Sequence, residues 1–299
     1  MTDNLKGILA ILASALGFVV NDGLIKLATT ELPTGEIIFT RGVMATILLG
    51  VATSLTGAWR PPAVLLQPAM VARLVTSAGS TLFIVAALRH LPLATTSAIL
   101  QLTPLAVTAG AALLTRAAVG WRRWAASCVG LVGVILIIQP GTAGFIPEVW
   151  IAFAALGFSA TRDLTTRFID HTVPSVMVAV ASSAVITLAG LGMLPFEDWV
   201  WPSSRAWLLL VAAAGSIYVA YYFGIVAMRV GEIAVVMPFR YSLIIHALVL
   251  SYLIWGHVPD ALALIGIAIV CGAGIYLLHR ERVANGQATA RPATARETP

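Results

Sequence analysis

The tetrapeptide Ala-Leu-Gly-Phe occurs twice in this chain, at Ala15–Phe18 and again at Ala155–Phe158. The same offset of 140 residues separates Ala87–Arg89 from Ala227–Arg229, and Gly133 returns as Gly274 at an offset of 141. A register this steady indicates two copies of one structural unit. Each copy contains five apolar runs, and an odd number of membrane spans places the second copy upside down relative to the first. Inverted repeats of this kind are typical of transporters.

The composition indicates a protein that is embedded in a membrane. Hydrophobic residues make up 59% of the 299 positions and charged residues only 10%, with a mean hydropathy of +0.94. A soluble domain carries about 25% charged residues, so this chain lacks the surface that water requires. Its apolar runs do not alternate with polar residues as barrel strands do, and we therefore expect helices.

Ten apolar runs of about 20 residues each, separated by turn or charge signals, predict ten transmembrane helices. The predicted fold is an all-α membrane protein made of two inverted five-helix repeats. The first repeat covers residues 1–139, the second covers 148–280, and 281–299 is predicted to be a disordered cytoplasmic tail because it lacks an apolar period. The predicted spans are 6–28, 34–55, 69–88, 92–114, 119–138, 149–169, 174–194, 206–228, 231–254 and 259–279.

The basic residues predict the orientation of the chain. If the N-terminus is cytoplasmic, the loops on the opposite side carry only Arg89 and Arg205. The positive-inside rule therefore favours cytoplasmic termini, and the basic pI reflects topology and not nucleic-acid binding. The basic residues on the predicted cytoplasmic side are Lys6, Arg60, Arg73, Arg116, Arg122, Arg123, Arg167, Arg229, Arg280, Arg282, Arg291 and Arg296.

Two stretches resemble a known family. The run Pro-Thr-Gly-Glu-Ile-Ile-Phe-Thr-Arg at Pro33–Arg41 is similar to the second helix of the EamA-type branch of the drug/metabolite transporter superfamily. The segment from Ala94 through Pro104 to Leu136 resembles the fourth and fifth helices of its repeat. The family often has a glutamate after the fourth and ninth helices, where this chain has Ala117 and His257.

The resemblance implies a function and a location. Bacterial ten-helix members export amino acids or related metabolites, so we expect an exporter of amino acids, including aromatic or other apolar ones, in the cell inner membrane. The expected mechanism is alternating access around a cavity at the membrane midplane. The alternatives are an exporter or importer of other drug- or metabolite-like solutes, such as a nucleotide sugar or a cationic drug, and, less favoured, an intramembrane enzyme.

Charged residues and prolines inside the spans are candidates for gating. Asp22 with Lys26, and Asp163 with Arg167, have the i,i+4 spacing of favourable helical pairs. They either hold helix ends or form gates that break as the cavity changes sides. Pro104 and Pro238 interrupt the fourth and ninth spans and act either as hinges or as tolerated kinks. Arg41, about 12 Å inside its span, is expected to snorkel outward.

Arg240 is the leading candidate for binding a substrate. It lies near the predicted midplane, where a charge is costly unless it faces a wet cavity or the bundle interior. A planar guanidinium there suits the carboxylate of an amino acid. The alternative for the neighbouring hydroxyl groups is hydrogen bonding between helices. The other predicted substrate-binding residues are Tyr241, Gln101, Ser77, Ser80, Tyr218, Tyr221 and Tyr222.

No motif indicates catalysis, a cofactor or a metal site. The chain has no G-x-S-x-G and no H-E-x-x-H sequence, and its two cysteines, Cys128 and Cys271, lie in separate spans. We therefore predict no enzyme, no cofactor and no catalytic or metal-binding residue. The expected partners are a small-molecule substrate and membrane lipid, with a monomeric chain and no nucleic acid. Proton coupling through Asp22, Glu36, Asp163 or His246 and facilitated diffusion both stay open.

Overall fold

The computed structural model describes residues 3–57, 59–115, 121–139, 147–166, 168–170, 173–230 and 233–289, and within these ranges all regular structure is helical. Twelve α-helices follow one another in the described chain. They are α1 (Asp3–Ala28), α2 (Thr34–Leu55), α3 (Pro68–His90), α4 (Leu93–Leu100), α5 (Thr103–Thr115), α6 (Trp121–Ile138), α7 (Val149–Thr166), α8 (Ser175–Met193), α9 (Ser204–Val230), α10 (Ile233–Val236), α11 (Ser242–Trp255) and α12 (Ala261–Thr289).

Within the described ranges, six helical segments are long and apolar enough to cross a membrane, and shorter apolar helices accompany them. Large apolar side chains on their outer faces are exposed, among them Ile47, Leu188, Leu208 and Leu253. Apolar surface on this scale is unstable in water and suits lipid. The six segments are Asp3–Ala28, Thr34–Leu55, Pro68–His90, Ser175–Phe196, Ser204–Gly224 and Met237–Trp255.

The fourth and ninth predicted spans are each broken in two. α4 ends at Leu100 and α5 begins at Thr103, with Pro104 in its first turn. Proline is tolerated there because the first N–H groups of a helix have no partner within the helix. The ninth span changes from α10 into a 3₁₀-helix, Met237–Tyr241, that contains Pro238, and then into α11. Both breaks lie where the prolines predicted an interruption.

The largest helix interfaces join the two halves of the chain. α1 packs on α9, α3 on α7, α2 on α8 and α6 on α12. Exchanging the two halves makes α1 correspond to α7 and α3 to α9. Under this exchange the interface of α1 with α9 becomes that of α7 with α3, whereas the interfaces of α2 with α8 and of α6 with α12 each correspond to themselves. Two pairs of smaller interfaces behave in the same way, because α1 with α11 matches α7 with α5, and α2 with α9 matches α8 with α3. A two-fold relation between the halves produces this pattern.

Glycines allow the closest helix crossings. A Cβ atom added at Gly266 of α12 would lie 2.4 Å from the carbonyl oxygen of Gly133 in α6. One added at Gly190 of α8 would lie 2.6 Å from the backbone nitrogen of Phe39 in α2. Small residues let helix backbones approach in a membrane, where no hydrophobic effect drives one helix onto another.

α12 extends beyond the predicted end of the last span. Its backbone stays helical to Thr289, which includes the first nine residues of the segment predicted to be disordered. That part of the sequence contains Glu281 and Ala284, both strong helix formers, and an existing helix is cheap to extend. Residues 290–299 lie outside the described residues.

Candidate functional site

The structure separates Arg240 from Tyr241. Arg240 lies in the 3₁₀-helix with an exposed side chain, whereas Tyr241 is buried and its ring packs on Gly274 of α12. With about three residues per turn, neighbouring side chains point roughly 120° apart. The two residues therefore do not share a face, and Tyr241 serves the packing of α12.

The predicted serine ligands are engaged in bonds between or within helices. The hydroxyl oxygens of Ser80 on α3 and Ser159 on α7 lie 2.7 Å apart, and the Ser77 hydroxyl donates to the Arg73 carbonyl oxygen at 2.7 Å. Both serines are buried. Gln101 is partly buried and follows the last turn of α4. The Ser80 hydroxyl therefore forms a hydrogen bond between helices, which was the predicted alternative to substrate binding.

The three tyrosines on α9 are exposed, and the ring of Tyr221 packs against α1. Its ring meets Phe18 of α1 edge to face, with centroids 5.6 Å apart. Tyr222 lies beside Phe223, and Tyr218 is also exposed. Tyr221 therefore links α9 to α1.

Arg41 belongs to a polar cluster with Asn21 and Asp22 of α1. Its Nη1 donates to Asn21 Oδ1 at 3.2 Å, and the Asn21 amide donates to Asp22 Oδ1 at 2.9 Å. Arg41 also interacts electrostatically with Asp22. The expectation that Arg41 snorkels outward is wrong, because the buried Asn21 gives its guanidinium an acceptor inside the bundle. Asn21, which directly precedes Asp22, is not among the residues predicted from the sequence, because no charge marks it.

Lys26 does not pair with Asp22 as predicted. Its amine donates to the carbonyl oxygens of Leu88 at 2.7 Å and Leu91 at 2.6 Å, and it lies 5.6 Å from the ring centroid of Trp255. The last carbonyl groups of a helix lack partners within it and carry its negative dipole end. Lys26 satisfies two such carbonyls at the end of α3 and so joins α1, α3 and α11.

A second polar cluster lies between α3 and α7. Arg162 and Asp163 form an ion pair at 2.9 Å. Arg73 of α3 donates from Nη1 to the Thr166 hydroxyl and to the Arg162 carbonyl oxygen. Arg162 and Asp163 stand 141 residues after Asn21 and Asp22, so each repeat places a polar residue and an aspartate beside an arginine of a neighbouring helix. Arg167, the predicted partner of Asp163, lies outside the described residues.

A polar clasp holds the corner between α1 and α2 to the segment between α8 and α9. Glu31 accepts from Arg205 at 2.9 Å and from the Ser203 hydroxyl at 2.6 Å. The Gly35 N–H donates to Glu197 at 2.7 Å, and the Val200 N–H donates to Glu36 at 3.0 Å. A separate apolar cluster packs near the start of α3. It includes Met70, Leu74, Ile169, Val173 and Val178.

Comparison with known proteins finds a family to which the first half of the chain is similar. Residues 5–139 match the EamA-like transporter family. The first half of the chain is EamA-like. This match confirms the resemblance to the drug/metabolite transporter superfamily that Pro33–Arg41 indicated. Together with the six membrane-spanning segments, it makes the chain a multi-pass membrane protein.

Named relatives of this chain are transporters. An S-adenosylmethionine uptake transporter of Rickettsia prowazekii is 24% identical over 163 residues, and the match covers 54% of this chain and 55% of the relative. A pseudopaline exporter of Pseudomonas aeruginosa is 28% identical over 289 residues, covering 91% of this chain and 95% of the relative. The chain thus spans about half the length of the first relative and nearly all of the second.

A solved structure has a similar fold. The crystal structure of a protein superposes with a TM-score of 0.60 and 22% identity, covering 94% of this chain and 99% of the other. At this identity the likeness concerns the fold alone. It includes both halves of the chain, although the family match ends at residue 139.

Proposed function

We propose that this protein is a secondary transporter that exports amino acids, including aromatic or other apolar ones, or related small metabolites across the bacterial inner membrane. The observation that carries the proposal is the similarity to a pseudopaline exporter over nearly the full length of both chains. Polar clusters on α1, α2, α3 and α7 give a small solute charged groups to bind inside an otherwise apolar bundle. Such groups inside a membrane protein mark a substrate or ion pathway.

The proposed mechanism is alternating access between two inverted halves. The symmetric set of helix interfaces supports it, and so do the breaks at Pro104 and Pro238, which free backbone groups in equivalent spans. In this mechanism the two prolines are hinges. Asp22, Asp163 and Arg167 are proposed to shift their electrostatic partners as the cavity changes sides. Lys26 is proposed to hold α3 while α1 moves.

The proposed topology has ten helices with both termini in the cytoplasm. We expect a reporter fused after Pro299 to be active on the cytoplasmic side and one inserted between Glu197 and Ser203 to be active on the periplasmic side, because an odd number of spans separates them. Paired phosphatase and fluorescent-protein fusions in bacterial cells measure this. The same sidedness at both positions contradicts the inverted repeat.

Transport by purified protein in liposomes tests the proposed function. We expect liposomes that contain the protein to take up more labelled phenylalanine than empty vesicles do. Measuring this uptake with and without an imposed proton gradient shows whether transport is coupled to protons. Competition by unlabelled amino acids, a nucleotide sugar and a cationic drug separates the main proposal from its alternatives. If none of these solutes enters or competes, the proposed substrate class is wrong.

Arg240 is proposed to bind the substrate carboxylate, and the same assay tests it. We expect Arg240→Ala to lower phenylalanine transport about tenfold, and Arg240→Lys to lower it as well, because lysine lacks the planar fork. Transport of phenylalaninamide, which has no carboxylate, should fall little in these two variants. Arg60→Ala, in the loop after α2, is the control. An equal loss for both solutes makes Arg240 a structural cation.

A further inference from the structure

Two equivalent corners of the bundle are closed by contacts of different chemistry. Exchanging the halves relates the α1–α2 corner to the α7–α8 corner, and the segment before α9 to the segment before α3. Lys26 contacts the end of α3 and Thr166 its start, so the corners lie at opposite ends of the bundle. The polar clasp closes the first corner, whereas the apolar cluster that includes Met70 and Val178 closes the second.

The chain between α8 and α9 has little apolar packing of its own. We call residues 197–203 the strap; they form no helix. Among the described residues, no apolar core cluster includes any residue from 194 to 205. Phe196 and Trp201 are 88% and 81% exposed. Segments with few buried apolar contacts have low local stability, and lids are drawn from them.

The strap supplies groups that water can replace. Pro33 precedes α2 and has no capping side chain, so the Gly35 N–H in the first turn takes its acceptor from Glu197, at 2.7 Å. The Val200 N–H donates to Glu36 at 3.0 Å. The first N–H groups of a helix are satisfied by side chains or by water. The strap can therefore leave the corner without stranding a backbone group.

The closed clasp also contains an unfavourable contact. Glu36 is fully buried, and its Oε1 has no hydrogen-bond partner among the described residues. A buried polar atom without a partner costs free energy, which is recovered when the atom meets water. The apolar cluster at the other corner carries no such cost, because opening it would expose apolar side chains. The polar corner is therefore the easier of the two to open.

We infer that the strap is a gate that moves away from the α1–α2 corner as one unit and opens this end of the bundle, while the apolar cluster keeps the other end closed. The inference rests on the proposed transport function. In the proposed topology this end is periplasmic, so an exported solute leaves beneath the strap. Glu31, Glu36 and Glu197 are then gating residues.

Hydrogen–deuterium exchange of the purified protein in detergent measures strap opening without any solute. We expect the Gly35 and Val200 amides to exchange about tenfold faster than the Val178 amide, which lies in the first turn of α8 at the apolar corner. Glu31→Ala removes the contacts with Ser203 and Arg205. It should nevertheless speed exchange at Val200 several-fold, because the strap opens as a unit.

Two further variants keep the exchange measurement decisive. Asp3→Ala breaks only an exposed pair with Lys6 and should change exchange at neither corner. Arg205→Gln is the milder variant if Glu31→Ala does not fold, and it should also speed exchange at Val200. The inference is overturned if Gly35 and Val200 exchange no faster than Val178, or if the folded clasp variants leave exchange at Val200 unchanged.

Locking the strap tests the gate during transport. Glu31→Cys and Ser203→Cys, combined with Cys128→Ala and Cys271→Ala, are bridged by a short bis-methanethiosulfonate linker that a reductant cleaves. We expect the bridge to lower phenylalanine transport in liposomes about tenfold, because lid opening limits many turnovers, and the reductant to restore it. The linker should change the rate of neither single-cysteine variant.

The two measurements separate the gate from the function. A strap that opens in a protein that transports none of the tested solutes overturns the proposed function and leaves the gate. Transport that continues at the same rate with the bridge in place overturns the gate and leaves the function.

Discussion

Alanine at Gly266 is expected to lower the melting temperature of the protein strongly. The added Cβ atom would lie 2.4 Å from the Gly133 carbonyl oxygen and 3.1 Å from the Ile137 backbone nitrogen. Backbone atoms cannot rotate away as a side-chain end can, so α6 and α12 must separate along their whole interface. Overpacking of this kind costs about 1–3 kcal/mol and more where the backbone is rigid, and we expect a loss at or above the upper figure. Thermal melting of detergent-purified protein by size-exclusion chromatography measures it.

Gly272 supplies a matched control for Gly266. It lies in the same helix α12, and a Cβ atom added there meets no atom within 4 Å. Gly272→Ala should keep the parental melting temperature or raise it slightly, because alanine is the better helix former. Gly133→Ala should behave as Gly266→Ala does, since its Cβ would lie 2.8 Å from the Gly266 carbonyl oxygen. Equal melting temperatures for the Gly266 and Gly272 variants would show that the helices are not closely apposed.

The positions of the helices were predictable, but their pairing was not. Span ends were marked by Pro33, Pro92 and Pro174, and the breaks by Pro104 and Pro238, because proline acts on the backbone locally. Pairing depends on which helix face meets protein. In a membrane both lipid and the protein interior are apolar, so hydrophobic periodicity carries little information about that face.

The repeat identified equivalent positions without showing which of them touch. Gly133 corresponds to Gly274 in the sequence. In the structure, however, Gly133 crosses Gly266, and Gly274 receives the ring of Tyr241. An internal duplication relates positions by symmetry, whereas a contact across the symmetry axis joins positions that are not equivalent. Helix crossings therefore could not be read from the offset of 140 residues.

Spacing within one helix also failed to predict the partners of buried charges. The i,i+4 rule paired Asp22 with Lys26, but it considers only exposed helices in water. In the bundle, Lys26 reaches the carbonyl oxygens of α3, and Asp22 accepts from Asn21 and faces Arg41. Asn21 and Arg41 lie 20 positions apart on different helices, so only the fold brings the Arg41 guanidinium to the Asn21 side chain.

Methionine at Lys26 is expected to produce the second largest loss of stability. The amine donates to two carbonyl oxygens at the end of α3, Leu88 at 2.7 Å and Leu91 at 2.6 Å. Hydrogen bonds from a charged donor contribute about 1.5–3 kcal/mol each, and buried acceptors left without a partner are costly. Methionine fills a similar volume but donates nothing, so we expect the free energy of unfolding to fall by about 2–4 kcal/mol.

Lys6 provides the control for Lys26 in the same helix. It lies near the start of α1 and pairs with Asp3 at 3.3 Å, with both side chains exposed. Exposed ion pairs contribute little to stability, so the melting temperature of Lys6→Met should lie close to that of the parent protein. A melting temperature for Lys26→Met equal to that of Lys6→Met would mean that the carbonyl groups find other donors. Lys26 could act only in holding α3 or also in gating, and a transport measurement separates these two roles. The Lys26→Arg variant can still donate to both carbonyl oxygens. If Lys26 only holds α3, both the stability and the transport rate of this variant should return from the level of Lys26→Met toward that of the parent. If stability returns while transport stays lost, the amine acts in gating and not only in the packing of α1 on α3.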